Sequence, residues 1–192
     1  MADALLHPFL YYWRQNLEQL EMTDIRSEKP EDIEAVRTLN KLAFHQETEG
    51  VIIDKIRSNC NEIFSLIAEL DNKVIGHILF SPVMLKSDHS ELKGMGLGPM
   101  AVLPEFQNRG IGSSLVNHGL KLVKEAGYPY VIVLGHPSYY PRFGFQPASK
   151  FQFQCQWEDV PDEAFMALIF DKKEIKDNAG TIFYRDEFNE GV

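Results

Sequence analysis

Cysteine is scarce in this sequence: Cys60 and Cys155 stand far apart, with no second cysteine or histidine at metal-ligand spacing around them. That argues against a disulfide framework or a metal site and fits the cytosol. Positive charge is the minority sign, 19 Lys and Arg against 28 Asp and Glu, for a formal net charge of −9. Such a field disfavours a general nucleic-acid surface and leaves room only for local basic pockets. The first twenty residues, MADALLHPFLYYWRQNLEQL, lack both a basic start and a long apolar run. Neither a secretory signal nor a membrane span is indicated there. Repeats, low-complexity tracts and linkers are also missing.

What is present suits one domain over residues 1–192, since 44% of the residues are hydrophobic and the length supports a single sizeable core. Leu6, Phe9, Leu10, Trp13, Leu17 and Leu20 recur at helical spacing, which predicts an N-terminal helical extension over 1–20. It would pack on its own domain or on the partner of a homodimer. With Arg14 its only Lys or Arg, it does not suit a membrane surface.

Beyond it, a short strand over 23–26 leads into SEKPEDIEAVRTLNKLAF, where Pro30 and the acidic residues after it mark a helix start. In that helix Ile33, Val36, Asn40, Ala43 and Phe44 share a face. A weaker helix follows over 51–59. EIFSLIAEL and KVIGHILFSPVML flank Asp71-Asn72 as a hairpin. SDHSELKG reads as a polar loop and MGLGPMAVL as a third strand. A helix runs from Gly110 to Ala126 and stops at Gly127. YVIVLG reads as a strand buried on both faces and parallel to the strand before the helix. FQFQCQW alternates, with Phe151, Phe153, Cys155 and Trp157 on one face; FMALIF and TIFYRDEF supply the remaining strands. The sum is a mixed α/β sheet with helices on both faces.

The junction QNRGIGSS carries the first functional signal. A helix begins with backbone N–H groups that no earlier turn satisfies, and an anion can satisfy them. Gly110 and Gly112 remove side chains that would keep a ligand from the backbone, and Arg109 adds charge. Leu115 stands where a dinucleotide fingerprint needs its third glycine, and the lysine of a phosphate-binding P-loop is absent. Pro99 cannot donate to a ladder, so it should interrupt strand pairing and open a cleft.

QNRGIG after MAVLPEF, some thirty residues before YYPRFGF, resembles the GNAT family of acetyl-CoA-dependent N-acetyltransferases, in particular its bacterial and archaeal branch. The resemblance spans about 23 to 185 and includes VPDEAFMAL. It implies the acyl-CoA N-acyltransferase fold, α/β with a mixed, mostly antiparallel central sheet and helices on both faces. It further implies that the backbone from Gln107 through Asn108, Arg109, Gly110, Ile111 and Gly112 to Ser113 holds the coenzyme A pyrophosphate. The strand edge at Met100, Ala101 and Val102 would pair with the pantetheine arm. Tyr140, four residues before Gly144, matches the family's acid, and Tyr139 is the fallback because Pro141 disfavours helical geometry at Tyr140. Many members contact coenzyme A through an asparagine where this chain reads Gly135, His136, Pro137, Ser138; that contact is either lost or taken over by Ser138.

The expected function is direct acetyl transfer from acetyl-CoA to a primary amine, with acetyl-CoA as co-substrate and no metal. The acceptor would be a small-molecule or peptide amine, bound by the first two helices and the loops around 44–55 and 84–95. Glu47, Glu49, His77 and His136 are the candidate bases. The alternative is a non-catalytic acyl-CoA-binding sensor that kept the cradle; a structural domain whose glycines only shape a turn ranks last.

Overall fold

The computed structural model describes residues 23–87, 90–175 and 179–191; the expected helix over 1–20 lies outside them. Strand β1 (Asp24–Ser27) leads through a 3-10 turn at Pro30–Asp32 into α1 (Ile33–Phe44), and α2 (Thr48–Asn59) follows. Asp32 sits at the entrance of α1, accepting from the Lys29 N–H at 2.8 Å and from Arg26 at 2.7 Å. Arg26 also bonds Glu69, which fastens the start of α1 to the sheet. Asn40, buried on α1, turns its amide back to Val36 O at 2.9 Å. Phe44 differs from the expected core face: it is 38% exposed and lines a cleft instead.

Asp71 and Asn72 have φ values of 50° and 61°, the two left-handed positions that a tight hairpin turn requires. Off this turn run β2 (Phe64–Leu70) and β3 (Lys73–Lys86). β4 (Glu91–Val102) starts four residues before the expected MGLGPMAVL because the long β3 is a template for it, pairing Lys86 with Glu91. After α3 (Ile111–Glu125), β5 (Tyr130–Leu134) lies parallel to β4 at Met95–Leu97, as the fully apolar run predicted. The chain continues through β6 (Gln146–Pro147), β7 (Phe153–Cys155), β8 (Phe165–Ile169), α4 (Lys172–Ile175) and β9 (Gly180–Phe183). The FQFQCQW alternation overstates its strand. Phe151 ends a 3-10 turn, Gln152 is left-handed at φ 59°, and only Phe153–Cys155 pair.

The sheet order is β1-β2-β3-β4-β5-β8-β6, and β9 takes the end of β3 beyond its pairing with β2. Among the described residues only β4–β5 and β7–β9 pair in parallel, so the sheet is mixed and mostly antiparallel. α3 covers one face, with Leu115, Val116 and Val123 in a cluster with Leu66, Ala68, Ile78 and Phe80. α1 and α2 bring Val36, Ile52, Ile53 and Ile56 to Ile67 and Leu79 on the other face. Full burial of an aliphatic side chain is worth about 1.5–3 kcal/mol. Several such residues on α3 fix that helix, and with it the position of its N-terminus.

Candidate active site

β4 and β5 pair only as far as Leu97 and then part. β5 continues beside β8, and the Gly135 N–H donates to Ala164 O at 2.9 Å. β4 stays with β3, Ala101 opposite His77 and Val102 opposite Gly76. At the fork, Gly98 and Pro99 together oppose the single residue Leu79, a bulge in β4. Leu103 N–H donates to Ile75 O at 2.9 Å. Alternation along an antiparallel ladder therefore turns the backbone groups of Met100 and Val102 away from β3, into the gap. One of these is engaged, since the Gln107 amide donates to Val102 O at 3.0 Å.

The N-terminus of α3 faces the same gap. Gly110 enters the helix at φ 88°, a left-handed position that favours glycine, and no side chain caps it. A β-carbon on Gly112 would lie 2.9 Å from the Tyr139 hydroxyl, so glycine here lets that tyrosine reach the first turn of α3. The resulting cleft has a volume of about 580 Å³ and is lined by Met100, Ala101, Val102, Gln107, Asn108, Gly110, Ile111, Gly112 and Ser113. These are the expected coenzyme-side residues except Arg109 and Ser138. Arg109 lies 5.5 Å from the Phe106 ring centroid, and Ser138 belongs to a second, adjoining cleft.

That second cleft, about 910 Å³, shares Phe44, Met100, His136, Tyr139 and Arg142 with the first and extends past Pro99 to Trp157, Tyr184 and Phe188. Tyr140 lines it and is only 7% exposed. Its ring packs edge-on to Tyr139 at 5.1 Å and to Phe145 at 5.7 Å. A β-carbon on Gly135 would come within 2.3 Å of that ring, so no asparagine fits at 135 without displacing Tyr140. Pro141 does not keep this segment extended: a 3-10 helix begins at Tyr140 and ends at Gly144. Burial, with Tyr139 beside it, raises the Tyr140 pKa well above the usual phenol value. Tyr140 therefore stays protonated at neutral pH.

A family model described as an acetyltransferase (GNAT) domain matches residues 24–148. This chain belongs to the GNAT acetyltransferase family. The acetyltransferase is 30% identical over 166 residues to the uncharacterized N-acetyltransferase YhbS of Escherichia coli strain K12, an alignment covering 86% of this chain and 98% of that protein. It superimposes on the crystal structure of YhbS in complex with CoA with a TM-score of 0.80 at 29% identity, over 88% of this chain and 92% of that one. A GNAT acetyltransferase from Brucella melitensis in complex with acetyl-CoA is 33% identical, with a TM-score of 0.71 over 86% and 97% of the two chains.

The candidate bases of this acetyltransferase separate in space. Glu49 and His136 line the second cleft; Glu47 pairs with Lys41 and lines neither. His77 is also away from both clefts. It is fully buried, 2.9 Å from Ser65 Oγ and 3.8 Å from Glu28. Burial and the nearby Arg57 charge lower its pKa to about 3, so the approach to Glu28 is a polar contact rather than an ion pair.

Among the described residues of 84–95, none lines the second cleft; most of that segment is strand. Its place is taken by Trp157, Tyr184 and Phe188, which the sequence reading missed. They carry no local motif and arrive from the C-terminal segment. Arg142, from the RFGF segment, lines both clefts 4.6 Å from the Tyr139 ring centroid. Cys60 and Cys155 are free thiols outside both clefts. Among the described residues, no cluster of His, Cys, Asp or Glu could hold a metal ion, and no helix is long and apolar enough to cross a membrane.

Proposed function

We propose that this acetyltransferase moves an acetyl group from acetyl-CoA to a primary amine by direct attack in a ternary complex, acting as one catalytic domain. The observation that carries the reading is the fork between β4 and β5. It opens a strand edge at Met100–Val102 beside the uncapped N-terminus of α3, with Tyr140 in the adjoining cleft. The complexes of the Escherichia coli and Brucella melitensis relatives with CoA and acetyl-CoA support it.

In this reading the backbone N–H groups from Gln107 to Ser113 receive the pyrophosphate, where the helix dipole favours an anion. The Met100–Val102 edge takes the pantetheine amides as an added strand. The thioester then lies at the junction of the two clefts. The neutral amine attacks its carbonyl carbon, and an N–H of the strand edge stabilises the oxyanion. The carbon–sulfur bond breaks, and the leaving thiolate takes the phenolic proton of Tyr140. The amine nitrogen loses its extra proton to a base or to water. No acyl-enzyme is needed: Cys155 is away from the clefts, and its thiol pKa is raised by burial.

Thiol release from acetyl-CoA, followed against a panel of amines, tests this. Turnover dependent on a primary amine is expected. Tight acetyl-CoA binding without turnover on any amine would favour the non-catalytic sensor instead.

A further inference from the structure

Two residues that line the second cleft each carry a polar atom that the protein leaves unsatisfied. Gln46 donates to Glu49 Oε1 at 2.7 Å, but the other carboxylate oxygen, Oε2, is buried without a hydrogen-bond partner. The Tyr184 hydroxyl is likewise buried and unpartnered. Both side chains line the cleft, Glu49 from α2 and Tyr184 from the segment after β9. Buried carboxylate and phenol oxygens are normally hydrogen-bonded, so two orphans in one cleft suggest a ligand that brings donors.

Tyr184 is held in place. Its ring lies 5.0 Å from that of Trp157 and 5.5 Å from that of Phe188, and its N–H donates to Gln156 Oε1 at 2.8 Å. The surrounding wall is apolar, with Phe44, Ile52, Leu134 and Val160 beside those rings. Among the described lining residues, Glu158 is the only other carboxylate, and it is exposed; Arg142 places a positive charge at the junction with the first cleft. A polycation would meet that guanidinium and find few anions to offset it.

We propose that the acceptor is a monocationic primary amine on an aromatic or branched apolar frame, its ammonium received by Glu49 Oε2 and the Tyr184 hydroxyl. This rests on the acetyl-transfer reading above. An ammonium carries three N–H donors: two serve the two oxygens, and loss of the third proton to water or a base frees the lone pair that attacks the thioester. Aromatic walls receive the frame, and the two oxygens set the depth at which the nitrogen stops. Glu49 and Tyr184 are then specificity-determining residues for the transfer.

The test is thiol release at saturating acetyl-CoA with phenethylamine, tryptamine, spermidine and kanamycin, using the wild-type chain and the variants Glu49→Gln, Glu49→Asp and Tyr184→Phe. The aryl amines should exceed spermidine and kanamycin in kcat/KM by about 10-fold or more. Glu49→Gln should lower kcat/KM for phenethylamine by about 30-fold, mainly through KM, as expected for a lost charge-assisted hydrogen bond. Glu49→Asp should recover part of this, and Tyr184→Phe should cost about 5-fold. The thermal shift produced by CoA should be the same in all four proteins.

A preference for spermidine or kanamycin, or an unchanged KM in Glu49→Gln, would overturn the acceptor assignment while leaving acetyl transfer intact. No thiol release with any amine, together with no thermal shift by CoA, would overturn the transfer reading and this inference with it. If Glu49→Gln does not fold, the substrate preference and Tyr184→Phe decide.

Discussion

Two adjacent tyrosines stand at the junction of the clefts, and their surroundings separate them. Tyr140 is packed between Gly135 and Phe145 and lines only the second cleft, whereas Tyr139 reaches the first turn of α3 at Gly112. Tyr140→Phe is therefore expected to lower kcat by about 100-fold with CoA affinity unchanged, the range of a lost general acid. Tyr139→Phe should weaken CoA binding a few-fold with kcat nearly intact. Steady-state rates and CoA titrations on both variants check this, and the reverse pattern would assign the acid to Tyr139.

Away from the site, His77 couples stability to pH. Its folded-state pKa is about 3, below the ordinary histidine value, because it is buried near Arg57. An unfolded chain takes up a proton below about pH 6.5 that the buried ring refuses, so stability falls as pH drops from there toward 3. On the order of 2 kcal/mol should be lost between pH 7 and pH 5. Urea unfolding at the two pH values measures it; His77→Gln should flatten the difference, and an unchanged slope would refute the assignment.

At the scale of elements, α3 joins the core to the site. Its N-terminal turn needs space for Tyr139 and for a ligand, and its middle needs space for Phe80. A β-carbon on Gly119 would stand 2.2 Å from the Phe80 ring. Overpacking costs about 1–3 kcal/mol, against about 1 kcal/mol gained in helix propensity. Gly119→Ala should therefore destabilise the chain, as read by the urea midpoint. Gly112→Ala should do the opposite: CoA binding weakens by about 10-fold while stability changes by less than about 1 kcal/mol, since the added methyl is crowded by the Tyr139 hydroxyl at 2.9 Å and meets Met100 and Val102 at an ordinary 3.8 Å. Equal losses in binding and stability would mean that the glycine is structural.

At the scale of the whole molecule, CoA in the proposed cradle would bridge β4 and α3, parts that the core already fixes. CoA at about 100 times its Kd should add about 2.7 kcal/mol. For a chain of this length that corresponds to a melting shift of about 5–10 °C. Scanning calorimetry with and without CoA measures it, and no shift at millimolar CoA would remove the proposed cradle.

The order of strands and helices could be read from the chain because it rests on local pattern: Asp71-Asn72 at the hairpin, Gly127 after α3, the apolar run of β5. The lining of the first cleft was legible for the same reason, since much of it falls in two short segments, Met100–Val102 and Gln107–Ser113. Local pattern failed where side chains decide. The FQFQCQW alternation stopped being a strand at Gln152, and Phe44, periodic with the core face of α1, turned out to line a cleft. Glu49 was one carboxylate among 28 acidic residues, and Tyr184 one aromatic on a late strand end. The sequence by itself determined a glycine-flanked helix start beside an interrupted strand, since glycine, proline and hydrogen-bonding rules act over a few residues. Only the tertiary structure decided which distant side chains line the second cleft, because packing brings Glu49 and Tyr184, far apart in sequence, to the walls of one cavity.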